Sequence, residues 1–123
     1  MKIFLDTGAF LASADEDDDH HTAAKSVYAE LVQSRAQFLT SNFVLSETYT
    51  LIRSKVSHRS AVEFMKRFDQ SGIRVVRVSE ANEQTAKAIF IRYGDKDFSF
   101  VDCTSFVLID HRRLDHAFAF DTH

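Results

Sequence analysis

Short apolar runs that stop abruptly at polar residues, separated by long stretches of helical periodicity, leave this chain few folds to choose from. Lys2-Ile3-Phe4-Leu5 is the first run, and it halts at Asp6-Thr7-Gly8 as a buried strand entering a turn does. Gln37-Phe38-Leu39-Thr40 is the second, Ile73 to Val78 a β-branched third, and Ala117-Phe118-Ala119-Phe120 a fourth. A short helix is expected over Ala9 to Ala14. Ala24, Val27, Tyr28, Leu31 and Val32 then recur at helical spacing, with Asp19 placed to cap them. Ser41 and Asn42 offer a cap for a helix with Val44, Leu45, Thr48, Leu51 and Ile52 on one face, and another carries Ala61, Val62, Met65 and Phe68 and stops near Gly72. Glu80 to Tyr93, closed by Gly94, is a further helix. Ser99-Phe100-Val101-Asp102 has the form of a capping box, and the run to Arg113 that it opens is apolar nearly all round, as in a helix enclosed by its neighbours. Strands joined through helices need crossover connections, so the pattern predicts an α/β sandwich with a mainly parallel sheet and helices on both faces.

The length of 123 residues suits one compact domain over 1–123. No apolar run is long enough to span a bilayer, and Asp6 interrupts the first run before a signal-peptide core forms, so a cytoplasmic protein is expected. Cys103, the one cysteine, excludes an internal disulfide and a Cys-based metal centre; with no activating base in evidence it reads as core. The formal net charge of −3, from 15 basic and 18 acidic residues, speaks at first against a partner made of phosphate backbone.

Where the acids fall changes that reading. Ligands of open parallel sheets sit beyond the carboxyl ends of the strands. Asp6 follows the first strand and Asp121 the fourth; Glu47 lies in the second turn of the helix entered from the second strand, and Asp102 in the first turn of the largely apolar helix. Four carboxylates from four segments are thus expected at one edge, the arrangement that hard divalent cations such as Mg²⁺ or Mn²⁺ take, and a water on such an ion can attack a phosphodiester. Structural duties compete for three of them: Asp6 suits a turn or cap, Asp102 a capping box, Asp121 the end of a strand. Glu47 is harder to explain structurally. It borders an apolar stripe with no Lys or Arg at i±3 or i±4, and an unpaired carboxylate is costly to desolvate there. These four acids account for more than the whole net charge, and without them the chain stands at +1.

The segments Phe4-Leu5-Asp6-Thr7-Gly8-Ala9-Phe10, Thr40-Ser41-Asn42-Phe43-Val44-Leu45-Ser46-Glu47-Thr48, Asp95 to Phe106 and Phe118-Ala119-Phe120-Asp121-Thr122-His123, in this order, resemble the PIN-domain ribonucleases, and among them the VapC-type toxins of prokaryotic toxin–antitoxin modules. The resemblance implies a three-layer α/β/α sandwich on a mainly parallel sheet of four or five strands. It also implies a Mg²⁺- or Mn²⁺-dependent acidic site and endonucleolytic cleavage of RNA, of the tRNA or rRNA class, leaving a 5′-phosphate and a 3′-hydroxyl. Asp6, Glu47, Asp102 and Asp121 match the acidic quartet, with Asp6 and Asp102 as metal ligands and Glu47 and Asp121 binding directly or through water. Thr7 matches the hydroxyl residue beside the first acid, Asn42 and Ser46 match polar neighbours of the second, and Asp97 is an extra acid near the third. A cognate VapB-like antitoxin and a homodimer are further expectations of the resemblance.

Two positions depart from the family pattern. Thr122 stands where an Arg often follows the last acid, and relatives commonly run on past the residue matching His123, which places Asp121 beside an end prone to fraying. Arg53, Lys55, His58 and Arg59 form a basic group that could rim an RNA site or simply solvate a helix end. The Asp15 to Asp19 run with His20 and His21 reads as a solvated loop and helix start rather than a second metal site, and Phe118 and Phe120 read as sheet core. A haloacid-dehalogenase-like phosphatase would need an acid where Gly8 stands, and a response-regulator receiver a Lys after the late strand. The alternative from another class is a catalytically weak or inactive PIN fold serving as an RNA- or protein-binding scaffold, which predicts loss of acids that are here all present.

Overall fold

The computed structural model describes residues 1–17, 21–112 and 116–118, the last three by their backbone. Along the chain come β1 (Lys2–Leu5), α1 (Thr7–Ala14), α2 (His21–Gln33), β2 (Gln37–Ser41), α3 (Asn42–Lys55), α4 (His58–Asp69), β3 (Arg74–Val76), α5 (Glu80–Arg92), α6 (Phe100–Arg112) and β4 (His116–Phe118). The described strands form one sheet in the order β3-β2-β1-β4, and every pair is parallel. Ile3, Phe4 and Leu5 are all at most 2% exposed. Successive strand residues point to opposite faces, so this uninterrupted burial requires helices over both faces of β1.

One face is sealed by aromatic packing. Phe10 of α1 meets Phe64 and Phe68 of α4 edge-on, with centroids 5.4 and 5.9 Å apart, and Tyr49 of α3 joins Phe64 at 6.0 Å. α2 and α5 each bury one residue completely, Ala24 and Ala86, and add half-buried side chains: Val27 and Leu31 of α2 pack on the central core, and Ile89 of α5 packs with Ala86 against Cys103 and Val107 of α6. Among the described residues no helix is long and apolar enough to cross a membrane.

Several boundaries differ from the sequence expectation for identifiable reasons. α1 begins at Thr7, ahead of the expected Ala9, because Asp6 itself caps it. β3 is shorter than Ile73 to Val78 because both ends are diverted. Gly72 turns with φ 76 and the Ile73 N–H donates to Ser71 Oγ, while the Val78 N–H donates to Asn42 Oδ1. α4 starts at His58 through its cap Ser57, and α5 through its cap Ser79. α6 is less enclosed than its sequence suggests, with Phe106 40% exposed. β4 is described over His116–Phe118; the expected Asp19 cap, Phe120 and Asp121 lie outside the described residues.

The strand order positions the site. The chain steps outward from β1 to β2 to β3, then returns past β1 to lay down β4, so the order reverses between β1 and β4. At such a reversal the two flanking connections leave in opposite directions and open a crevice beyond the carboxyl ends of the strands.

Candidate active site

Asp6 stands at that crevice. With φ −97° and ψ 179° it ends β1 in extended backbone, and its Oδ1 accepts the Ala9 N–H at 2.9 Å, one of the donors a helix start leaves without an internal partner. The positive end of α1 favours the charged carboxylate. Thr7, the next residue, is 7% exposed, and among the described residues its hydroxyl has no hydrogen-bond partner. A buried hydroxyl left unpaired costs about 1–3 kcal/mol, a cost that structures tolerate mainly where a group is kept for function or for a solvent molecule.

The neighbouring strand ends in the same way. Phe4 is level with Leu39, so Leu5 is level with Thr40, whose buried hydroxyl donates to the Leu5 carbonyl at 2.8 Å. Ser41 then caps α3 by accepting the Val44 N–H at 3.0 Å, so α1 and α3 both start from capped ends of neighbouring strands. Glu47 sits on the second turn of α3, half-buried, and among the described residues it has no hydrogen-bond or ion-pair partner. It lines a hollow of about 490 Å³ with Phe43, Ser46, Thr50 and, across from α3, Val101 of α6. Beside it, Phe43 meets Phe100 with centroids 6.3 Å apart, which holds the first turn of α6 against the first turns of α3.

Asp102 follows Val101. The Ser99 N–H donates to Asp102 Oδ2 and the Asp102 N–H to Ser99 Oγ, both at 3.0 Å, so the reciprocal capping box expected from the sequence is formed. This does not remove Asp102 from the candidate site. A carboxylate has about four lone-pair positions, and one N–H uses one of them. Next to it, Cys103 is fully buried, and burial first, then the Asp102 carboxylate, push its thiol above the ordinary range. A thiol so protonated is a poor nucleophile, as the core reading requires.

The helix starts that follow β1 and β2 thus carry Asp6, Thr7, Asn42, Ser46 and Glu47, and the start of α6, which carries Asp102, packs against α3. Asn42 is more than a polar neighbour: by accepting the Val78 N–H at 2.8 Å it ties the end of β3 to the start of α3. Asp97 is exposed in the loop before α6. Arg53 and Lys55 lie near the far end of α3, about 9 and 12 Å along the axis from Glu47, and Arg59 pairs with Glu63 at 3.2 Å on exposed α4, so this basic group is not brought to the hollow. Nothing in the sequence pattern marks Phe43, Phe100 or Val101 as parts of the site; the contact between α3 and α6 does.

The donor set at this edge is all oxygen, which is what a hard divalent cation takes. Among the described residues, however, no three His, Cys, Asp or Glu side chains group closely enough to hold a metal ion by themselves. The same finding covers the described part of the acidic run, where Asp15 Oδ1 accepts the Asp17 N–H and His21 Nδ1 lies 2.7 Å from the Ala12 carbonyl.

Known proteins share this fold. The PIN domain family model matches residues 3–123. The chain is 34% identical over 119 residues to the 23S rRNA-specific endonuclease VapC20 of Mycobacterium tuberculosis, covering 97% of this chain and 88% of that protein. The crystal structure of M. tuberculosis VapC20, a Sarcin-Ricin loop cleaving toxin, superposes with a TM-score of 0.88 at 33% identity over 97% of this chain and 89% of that one. VapBC2 from Rickettsia felis, solved on a promoter DNA fragment, shares the fold at TM-score 0.64 and 12% identity, over 98% and 100% of the two chains. DNA-bound VapBC from Salmonella typhimurium does so at 0.60 and 14%, over 91% and 81%. A parallel sheet reversing between β1 and β4, acids at its carboxyl edge and a match along nearly all its length place this chain in the PIN-domain family, within the VapC group.

Proposed function

We propose that the protein is an endoribonuclease that hydrolyses RNA phosphodiester bonds with Mg²⁺ or Mn²⁺, and that it is the toxin of a type II toxin–antitoxin pair acting in the cytoplasm. The observation that carries this reading is the 34% identity to a 23S rRNA-specific endonuclease over 97% of the chain. Ribosomal RNA is accordingly the first substrate to test, and tRNA the second.

In this reading Asp6 and Asp102 hold the metal, and Glu47 and Asp121 bind it directly or through water. The ion, when bound, supplies a water of lowered pKa and positive charge at the phosphate. The protein's own groups do the positioning. The caps fix the Asp6 and Asp102 carboxylates on rigid helix starts, so little reorganisation is needed when substrate arrives. Glu47, with no partner among the described residues, is left to accept a hydrogen bond from the attacking water, and the Thr7 hydroxyl is left to bond a water or phosphate oxygen beside Asp6. Asn42 holds β3 against α3, keeping the Ser46–Glu47 turn in place, and Asp97 shapes the approach to α6. In-line attack releases a 5′-phosphate and a 3′-hydroxyl.

A VapB-like antitoxin is the partner that would restrain such an enzyme, and a second copy of the chain is the other. Ile91 of α5 is 80% exposed and Tyr93 just beyond it 38%, an apolar surface that a homodimer would cover. Arg53, Lys55 and Arg59 would then meet RNA at the rim, away from the reacting phosphate.

The test is direct. Purified protein is incubated with total RNA and Mg²⁺ and the new 5′ ends are mapped. Cuts confined to a few positions, abolished by EDTA and by Asp6→Asn, are expected. Cleavage by Asp6→Asn at the wild-type rate would overturn the assignment.

A further inference from the structure

The hollow between α3 and α6 has two unlike walls. Phe43 and Val101 are apolar; Ser46 and Glu47 are polar. Its volume of about 490 Å³ falls within the range of about 300–1,000 Å³ usual for small-ligand sites. No Lys or Arg is among the described residues that line it. A phosphate would therefore find no cation of the protein there, and an acidic peptide would meet Glu47. An uncharged, flat, hydrogen-bonding group suits both walls.

The aromatic geometry is specific. Phe43 and Phe100, both half-buried, are tilted at 49° with centroids 6.3 Å apart, so neither ring is stacked face to face on the other. Phe90 of α5 braces Phe100 at 6.1 Å and 78° and keeps that ring in place without lying parallel to it. The polar edge is equally defined. Because the Val78 N–H fixes Asn42 Oδ1, the amide nitrogen of Asn42 must point the other way, and among the described residues it makes no hydrogen bond. Ser46 is exposed, with its carbonyl accepting from Thr50 and its hydroxyl unengaged among the described residues.

We propose that this hollow receives one unpaired nucleobase of the RNA, stacked on Phe43, whose ring Phe100 holds from beside the hollow, and hydrogen-bonded at its edge by the Asn42 amide and the Ser46 hydroxyl. The inference rests on the ribonuclease reading above and adds the subsite that sets which nucleotide lies beside the cut. RNA loops are recognised by splaying bases onto aromatic side chains, and each stacked base contributes enough that losing the ring weakens binding about 5- to 100-fold. Contiguity chooses the occupant: Val101 of the hollow adjoins Asp102, and Glu47 lies in its wall, so a base seated there belongs to a nucleotide at or next to the reacting phosphate.

The experiment uses the protein and a 23S rRNA fragment that it cuts. Phe43→Leu keeps apolar volume but removes the ring; Phe43→Trp keeps a ring. The Leu variant is expected to raise KM about 5- to 100-fold with kcat within about twofold, and Phe43→Trp to stay near wild type. In parallel, wild-type protein is given RNA with single abasic replacements around the cut. One position is expected to raise KM as much as Phe43→Leu does, and combining it with that variant should add little. This arm does not depend on any variant folding. If wild type cuts the fragment but no abasic position matters, the inference is wrong and the ribonuclease reading stands. If wild type cuts no RNA, both are wrong. A Phe43→Leu protein whose sedimentation mass halves, with every abasic RNA cut normally, would make the ring pair an interface between copies and overturn the proposal.

Discussion

The capped starts of α1 and α6 and the second turn of α3 supply acids to the same edge on different terms. Asp6 and Asp102 each accept a backbone N–H, at 2.9 and 3.0 Å, and so belong to the helices they begin. Glu47 accepts none among the described residues, though it is half-buried. A carboxylate that caps a helix is stabilised whether or not anything binds to it; one that lines a hollow without a partner carries a desolvation cost that only a ligand or a solvent molecule offsets. Structural and chemical readings of an acid are therefore not exclusive at helix starts, whereas on the open turn of α3 the chemical reading has little competition.

Substitution separates the two kinds of acid. A loss of cleavage that spares the fold is expected of Glu47→Gln: cleavage of end-labelled rRNA should fall by more than about 100-fold, equivalent to about 2.7 kcal/mol of barrier, while urea unfolding moves by less than about 0.5 kcal/mol. A protein equally weakened in both assays would give Glu47 a structural duty and dissolve the contrast. Next, Asp6→Asn and Asp6→Ala should both silence cleavage, but only the alanine variant should also lose about 1 kcal/mol of stability, because asparagine caps about as well as aspartate. Comparable smaller losses are expected from Ser57→Ala, which removes the remote cap of α4 and should cost about 1 kcal/mol in the same unfolding measurement with no change in cleavage. Were cleavage to fall with it, caps in general and not the acids would govern the edge.

The smallest effect concerns Cys103, whose thiol is raised by burial and then by Asp102. The unfolded chain gives up this proton at lower pH than the folded one. The stability that the protonated thiol contributes is therefore complete below the ordinary cysteine range and is lost as pH climbs through and above it. Asp102→Asn should narrow that loss, measured as the fall in melting temperature on the alkaline side; an unchanged alkaline limb would mean that burial alone sets the shift.

Much of this was open to reading in the residues. β1 is legible because Ile3, Phe4 and Leu5 end at a residue that both stops a strand and caps a helix, and the α6 start because Ser99 and Asp102 are spaced for reciprocal bonds. β3 was legible in kind but not in length: its residues favour extended backbone, yet the Val78 N–H is taken by Asn42, 36 residues earlier in the chain. Local propensity has no access to such a bond. The same holds for the hollow. Phe43 and Phe100 look like ordinary apolar residues until α3 and α6 are placed side by side.

The burial of β1 has a consequence for how the molecule opens. Releasing β1 exposes Ile3, Phe4 and Leu5 together, so opening there costs more than fraying at an exposed surface. Because Asp6 is fixed to the end of that strand, it keeps its place through smaller fluctuations elsewhere.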